Sequence, residues 1–219
     1  MSELMLVLGN KNYSSWSLRP WIFMRHFQLP FTEKMVWLFK DTTRDALEEY
    51  NSGHKVPVLR DGDMTVWDSL SILEYVSERY LQNRGWPADM QARAVARSIS
   101  AEMHSSYVNL RNELPMNCRK KFSNIKLSGM ALNDVERVTS IWRDCRREYG
   151  RAGKWLFGEF SAADAMFAPV ALRFSGYSID LGKVEQDYVD CVLEHPAIVE
   201  WIASGVAETE VIAEDEIKV

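Results

Sequence analysis

The first residues with clear chemical potential are the three serines of the segment Asn12-Tyr13-Ser14-Ser15-Trp16-Ser17. Capping a helix needs only one of them, because one side-chain oxygen accepts a free N–H of the first turn. A hydroxyl at a helix N-terminus can also donate to an anion, which the positive end of the helix dipole stabilises. The segment therefore predicts either a plain helix cap or an anion site, and the residues alone leave both open.

Two later segments can also be interpreted either as ligand-binding or as purely structural. Pro57 lies at the start of an apolar strand pattern, where proline removes a ladder donor. A cis bond there would expose the backbone of Val56 to an extended ligand, and the alternative is a trans proline on an edge strand. Asp68 and Ser69 begin a helix pattern, where Ser69 could bind a carboxylate and Asp68 an ammonium group. Plain capping is again the alternative.

Other motifs are missing, and their absence excludes several classes of enzyme. The three cysteines, Cys118, Cys145 and Cys191, form no CxxC pair, and the four histidines form no HExxH motif. Neither a zinc site nor a redox dithiol is predicted. The sequence also lacks a P-loop, a GxGxxG fingerprint and a GxSxG elbow, so we expect no metal and none of these common chemistries.

Composition restricts the partners and the compartment. The 219 residues carry 26 Lys and Arg against 31 Asp and Glu, a net charge of −5, which does not favour nucleic-acid binding. No apolar run approaches the roughly 18 residues of a membrane span. Without a signal-peptide pattern, three unpaired cysteines fit a reducing cytoplasm, so we expect a cytoplasmic protein that does not bind membranes.

The periodicity of the first part predicts strand, helix, strand, helix, hairpin, helix. A turn at Asn51-Ser52-Gly53 ends the second helix, and Asp61-Gly62 joins the hairpin strands. The predicted elements are a strand over 4–8, a helix from 14 or 15 to 28, a strand over 31–38, a helix over 43–50, strands over 54–59 and 64–67, and a helix from 68 to 80.

The second part shows no convincing strand pattern. Residues 82–88, with Gly85 and Pro87, are predicted to link a domain over 1–81 to an all-helical domain over 89–219. The Ser161-x-x-Asp164 pattern is interpreted as a structural capping box. Helices are predicted over 89–113, 133–149, 161–174, 184–192 and 196–206.

These segments, in this order, resemble the soluble glutathione transferase superfamily over nearly the whole chain. The matching motifs are the serine segment, KVPVL at 55–59, the Asp-Ser pair at 68–69 and FSAADAMFAPV at 160–170. The stretch from Ser14 to Arg19 is similar to the Ser-Ser-Cys-x-x-Arg motif of the zeta class, with Trp16 in the cysteine position. The resemblance implies a bacterial-type member with an α/β thioredoxin-like N-terminal domain (βαβαββα), an all-α C-terminal domain and a homodimeric assembly.

The resemblance also implies a role for each matching residue. Ser14 would activate the glutathione thiol, with Ser15 and then Tyr13 as the next candidates. His54 stands where the family usually has glycine, so the loop before Lys55 is expected to differ. The implied glutathione-binding residues are Lys55 for the glycyl carboxylate, Val56 and the cis-proline Pro57 for the cysteinyl backbone, and Asp68 and Ser69 for the γ-glutamyl end.

The implied activity is transfer of glutathione, as co-substrate, to a small hydrophobic electrophile. Trp16 in the cysteine position disfavours thiol–disulfide chemistry. Two alternatives stay open, a glutathione-dependent isomerase of the maleylacetoacetate type and a non-catalytic ligand-binding protein. The expected second-substrate pocket lies between the domains and uses Met103, His104, Tyr107 and Arg111. These four could instead be core or dimer contacts, and Arg111 could bind an acidic substrate.

Overall fold

The computed structural model describes residues 3–50 and 52–217, so the predicted turn at Asn51 lies outside the described residues. Within those ranges, no helix is both long enough and apolar enough to span a bilayer. The elements are β1 (Leu4–Leu8), α1 (Ser15–His26), β2 (Thr32–Met35), α2 (Thr43–Glu48), β3 (Val58–Asp61), β4 (Met64–Val66), α3 (Ser69–Leu81), α4 (Met90–Ser105), α5 (Val108–Glu113), α6 (Gly129–Glu148), α7 (Ala162–Gly176), α8 (Lys183–Leu193) and α9 (Pro196–Ala207).

The N-terminal part is a four-stranded mixed sheet with the order β2-β1-β3-β4. Strand β1 runs parallel to β2 and antiparallel to β3, which forms a hairpin with β4. Alternate side chains of a strand point to opposite faces, and β1 shows this directly. Leu6 and Leu8 join the main core, whereas Val7 joins a smaller core under α2. This is the predicted thioredoxin-like arrangement, and the fold class is confirmed.

The C-terminal part is helical and is organised around α7. A helix that is apolar on every side belongs in a core, and almost all of α7 is buried. Trp142 of α6 and Tyr188 of α8 pack beside it, with ring centroids 4.8 Å apart. Helix α1 of the first part packs on α7 and α9, so the two parts share one continuous core.

Two sequence predictions about element length are wrong. The single helix over 89–113 is two helices, because Tyr107 takes a left-handed conformation with φ of 62°. That turn lets the Tyr107 ring enter the core while its hydroxyl donates to Glu102. The strand over 31–38 is only the four residues of β2, and Phe39 beyond it has φ of 57° and is exposed.

Aromatic and histidine side chains join the two parts of the chain. Trp21 of α1 packs edge-to-face on Trp201 of α9 at 5.1 Å. His26, at the end of α1, forms a hydrogen bond of 3.0 Å with His195, whose Nδ1 accepts from the backbone N–H of Ala197 at the start of α9. Burial lowers the pKa of both rings, that of His26 to about 4, so both are neutral at pH 7.

The predicted capping box is confirmed and extends beyond its helix. Asp164 accepts from the backbone and hydroxyl of Ser161 through one oxygen, and from Leu156 N and the Tyr188 hydroxyl through the other. Burial raises the pKa of this carboxyl to about 6 although the four bonds oppose the shift. One carboxyl thus ties the start of α7 to α8 and to the preceding loop.

We expect Asp164→Ala to lower the free energy of unfolding by about 3–5 kcal/mol, because it leaves buried donors unpaired. Asp144→Ala is the control, since Asp144 is exposed and forms a surface ion pair with Arg147, and a change below about 0.5 kcal/mol is expected. Denaturant titration measures both. Equal effects of the two substitutions would show that the box is not a main support of the helical core.

Candidate functional site

The turn between β1 and α1, which we call the serine turn, is built by a chain of hydrogen bonds through its serines. The backbone N–H groups of Tyr13 and Ser14 donate to the carbonyl of Asn10, at 3.1 and 2.7 Å. Ser14 caps α1 by accepting from Ser17 N at 3.3 Å, and the two hydroxyls are 2.8 Å apart. Ser17 Oγ accepts in turn from Gly9 N at 3.0 Å. Ser14 is therefore held at the N-terminus of the helix by both ends of the turn.

Ser15 and Tyr13 have different surroundings. Ser15 Oγ accepts from Arg173 of α7 at 3.0 Å, and no protein acceptor for its proton occurs among the described residues. The Tyr13 hydroxyl donates to Glu216 at 2.6 Å and accepts from Arg119 at 2.7 Å. Burial, followed by the bond to Glu216, raises the pKa of Tyr13. The phenol is thus bound to the end of the chain, whereas the hydroxyl of Ser15 keeps a free proton.

The predicted glutathione-binding residues lie beside this turn. The Val56–Pro57 bond is cis, and both residues precede β3 directly. Asp68 caps α3 by accepting from Leu70 N and Ser71 N through Oδ1. Its Oδ2 lies 2.9 Å from Nε2 of His104 in α4. A cavity of about 770 Å³ is lined by Ser52, Gly53, Lys55, Trp67, Asp68, Leu70, Ser71 and His104.

The side chain of Arg19 connects α1 to the start of α3. Arg19 is 2% exposed and donates to Ser69 Oγ at 3.4 Å. Its guanidinium lies 4.2 Å from the centre of the Trp16 ring, which contacts His104 edge-on at 5.4 Å. The serine turn, the Asp-Ser pair and α4 therefore meet in one place at the boundary between the two parts.

The four residues predicted for a second-substrate pocket separate into two groups. Met103 and Tyr107 are 1% and 5% exposed and pack in the core. His104 and Arg111 are only partly buried, and Arg111 lies 5.4 Å from the Trp16 ring. An open surface at this place is therefore formed by Trp16, His104 and Arg111. Within the described residues, no group of three His, Cys, Asp or Glu side chains is arranged to hold a metal.

A clamp formed by Lys11, Asn12, Tyr13, Arg119, Glu208 and Glu216 holds the serine turn to the end of the chain. The carboxylate of Glu208 accepts from the backbone N–H groups of Lys11 and Asn12, at 2.6 and 3.0 Å. Arg119 donates to Tyr13 Oη and to the carbonyls of residues 208 and 210, each at 2.7 Å. Gly205 makes the contact possible, because a Cβ there would lie 3.1 Å from the backbone of Asn12.

Sequence reasoning missed the clamp and also Arg173. Clamp partners such as Tyr13 and Glu216 are 203 residues apart, so no local pattern connects them. Arg173 did have a signal, since it is a basic residue within the largely apolar α7. A buried charge in such a helix needs a polar partner, and here the partner is Ser15.

Three comparisons with known proteins add to this geometry. A family model described as glutathione S-transferase, N-terminal domain, matches residues 13–79. Glutathione S-transferase 1 of Dianthus caryophyllus is 32% identical over 161 residues, which cover 71% of this chain and 71% of the relative. Glutathione S-transferase theta-1 of Homo sapiens is 36% identical over 88 residues, 39% of this chain, and the matched part spans only 37% of that relative.

A solved structure shows the same architecture. A glutathione transferase homolog from Burkholderia GL BGR1, with bound glutathione, superimposes with a TM-score of 0.70. The superposition covers 93% of this chain and 98% of the Burkholderia chain, and the two sequences are 21% identical. An identity this low shows a common fold and leaves the site to be argued from its own residues.

We expect Arg119→Gln to loosen the serine turn, because it removes three hydrogen bonds of the clamp. Amide hydrogen exchange of Lys11 and Asn12 should become at least about tenfold faster. Lys121→Gln is the control, since Lys121 is exposed and donates to Ser175, away from the clamp. If exchange at the turn is the same in both variants, the clamp does not hold it.

Proposed function

Because the chain belongs to the glutathione S-transferase family, we propose that it binds glutathione and transfers its sulfur to a small electrophilic molecule. The observation that carries the proposal is the meeting of two helix N-termini with the Val56–Pro57 segment. Ser14 and Ser15 stand at one N-terminus, and Asp68 and Ser69 at the other. Two such ends, with their free N–H groups and positive dipoles, suit a ligand with both a carboxylate and a thiolate.

The charges of the site support the binding of glutathione here. Asp68 Oδ2 would accept from the γ-glutamyl ammonium group, and Ser69 would donate to the neighbouring carboxylate. Arg19 donates to Ser69 Oγ, so the hydroxyl proton of Ser69 is free to point to the ligand. Val56 would pair its backbone with the cysteinyl unit beside Pro57. Lys55 is exposed at the edge of the cavity and would meet the glycyl carboxylate.

The serines would activate the thiol as hydrogen-bond donors, not as nucleophiles. A free thiol has a pKa near ~8.5 and is mostly protonated at neutral pH. If Ser17 turns its proton to Ser14, the hydroxyl of Ser14 becomes free to donate to sulfur while Gly9 N still holds Ser17. Ser15, polarised by Arg173, would be a second donor. Both bonds favour the thiolate and lower its pKa.

In the transfer step, the thiolate attacks an electrophilic carbon and a C–S bond forms. In a substitution, the leaving group departs with the electron pair of its bond. In an addition, that pair goes to the neighbouring carbon, which takes a proton from solvent. The thiol proton is released to solvent before the attack.

We expect Ser14→Ala to raise the pKa of bound glutathione by about two units and to lower kcat about 100-fold, since two units correspond to ~2.7 kcal/mol. Ser15→Ala should have a smaller effect of about tenfold. Ultraviolet absorbance of the thiolate against pH, together with turnover of a panel of electrophiles, measures both quantities. Ser98→Ala, at an exposed position of α4, is the control.

Other outcomes of this experiment point to other roles. If Tyr13→Phe raises the thiol pKa and Ser14→Ala does not, the serine assignment is wrong. If glutathione binds and neither electrophiles nor isomerisable diacids turn over, the protein is a ligand carrier. Turnover of the diacids alone would make it an isomerase of the maleylacetoacetate type.

A matched pair of helix caps tests the glutathione site. We expect Asp68→Ala to weaken glutathione binding by about 10–100-fold, because a charge-assisted hydrogen bond contributes ~1.5–3 kcal/mol. Asp89→Ala removes an equivalent cap, at the start of α4, and should leave binding unchanged. Each variant loses about 1 kcal/mol of stability. Calorimetric titration decides, and equal binding by the two variants would remove Asp68 from the site.

The proposed function also has implications for the oligomeric state and the cellular location. We expect a homodimer in the cytoplasm, and light scattering measures the oligomeric state. Large apolar side chains are exposed at Met64, Trp67 and Met90 and are available for contact with a second subunit.

A further inference from the structure

Three arginines from three different helices meet beside Trp16. Arg19 comes from α1, Arg111 from α5 and Arg173 from α7. Arg19 and Arg173 are 2% and 5% exposed, whereas Arg111 is partly open. Their positive charges lie close enough to repel, and Arg111 lowers the pKa of both of the others. Such a group of like charges at the boundary between two domains is unusual.

None of the three has an ion-pair partner in the part of the chain that the structure describes. Among residues 3–50 and 52–217, no carboxylate lies within 4.0 Å of any of these guanidiniums. The carboxylates in their neighbourhood have other contacts: Asp68 pairs with His104 and caps α3, and Asp134 accepts from Leu110 N. Asp215 lies near Arg173, and burial raises the pKa of its carboxyl.

The burial of these guanidiniums away from carboxylates has an electrostatic cost. Buried charges in proteins are normally paired or bound to an ion of opposite sign. Burial lowers the pKa of Arg19 to about 9 and that of Arg173 to about 10. The Nε of Arg19 is buried and has no hydrogen-bond acceptor among the described residues. An anion bound beside these side chains would remove much of this cost.

The three arginines differ in what they can offer to a ligand. Arg173 already donates to the carbonyls of Leu114 and Arg111 and to Ser15 Oγ. Arg19 lies under Trp16 and faces Ser69, on the glutathione side. Arg111 makes one long bond, 3.4 Å, to the carbonyl of His104. Its guanidinium is therefore the one that can turn to a new anion without losing a strong contact.

We propose that the second substrate is an electrophile that carries a carboxylate, and that Arg111 binds this group beside Trp16. Arg19 and Arg173 strengthen the positive field behind it. The inference rests on the proposed function, because it needs glutathione in the neighbouring site. Glutathione's own carboxylates are assigned to Lys55 and to the N-terminus of α3, so the anion at Arg111 belongs to the other substrate.

The test compares two glutathione conjugates that differ in one ring substituent, a carboxylate in one and its neutral amide in the other. An S-(carboxynitrophenyl)glutathione and the matching S-(carbamoylnitrophenyl)glutathione are titrated calorimetrically into the whole protein, with glutathione alone as reference. We expect the acid to bind about tenfold more tightly than the amide. Arg111→Gln should bring this ratio to about one, and Arg111→Lys should retain part of it. Arg151→Gln, an exposed arginine that donates to a backbone carbonyl, should keep the full ratio.

A second measurement follows turnover of the corresponding chloronitrobenzoate and chloronitrobenzamide. In each reaction a C–S bond forms at the carbon that carries chlorine, chloride leaves with the electron pair, and the thiol proton goes to solvent. Each kcat/KM is divided by the uncatalysed rate constant with glutathione, which removes the difference in intrinsic reactivity. The acid should again be preferred about tenfold, and Arg111→Gln should abolish the preference.

The possible failures are distinguishable. If glutathione alone does not bind, the proposed function is wrong. If glutathione binds and the acid and amide conjugates bind equally, only the present inference is overturned. If Arg111→Gln weakens glutathione alone as much as the acid conjugate, Arg111 serves the tripeptide or the fold, and the inference is also wrong.

Discussion

The carboxylate of Glu208 accepts two backbone hydrogen bonds from the turn after β1, and the arrangement of the candidate site depends on this contact. Those donors, Lys11 and Asn12, come just before the serines that cap α1. Asn12 Oδ1 accepts in its turn from the backbone of Cys118 and Arg119, which fixes the turn against the helical part. The position of Ser14 is thus set by contacts of the helical part as well as by the sheet that carries it.

Charge is distributed unevenly around this turn. On the side of the chain end, carboxylates meet cations, as in the pairing of Glu216 with Lys120. On the side of Trp16, three guanidiniums meet and no carboxylate contacts them among the residues described. The net charge of −5 hides this local excess of positive charge. A protein that is acidic overall can therefore present a basic surface to an anionic ligand.

The predictable parts of the structure are those governed by local rules. The apolar run of β1 and the Ser161-Asp164 box act over a few residues, and each forms as expected. The hairpin also forms, but its turn is Gly62-Asp63 and not Asp61-Gly62, because Asp61 still pairs with Met64 at the end of β3. The sequence did not predict the break at Tyr107, because the helical spacing of apolar residues continues across it. The break forms because packing of the Tyr107 ring outweighs the cost of a left-handed residue. The roles of Ser14, Asp68 and their neighbours follow from resemblance, and the zeta-like character of the serine segment stays a prediction.

The clamp also affects the order in which the protein acquires its structure. Contacts between β1, α1 and β2 are local, but Tyr13 and Glu216 are 203 residues apart, and closing so long a loop is entropically slow. The sheet and the local hydrogen bonds of the serine turn can therefore form before the clamp closes. We expect the docking of residues 208–216 to come later and to fix the turn against the helical part.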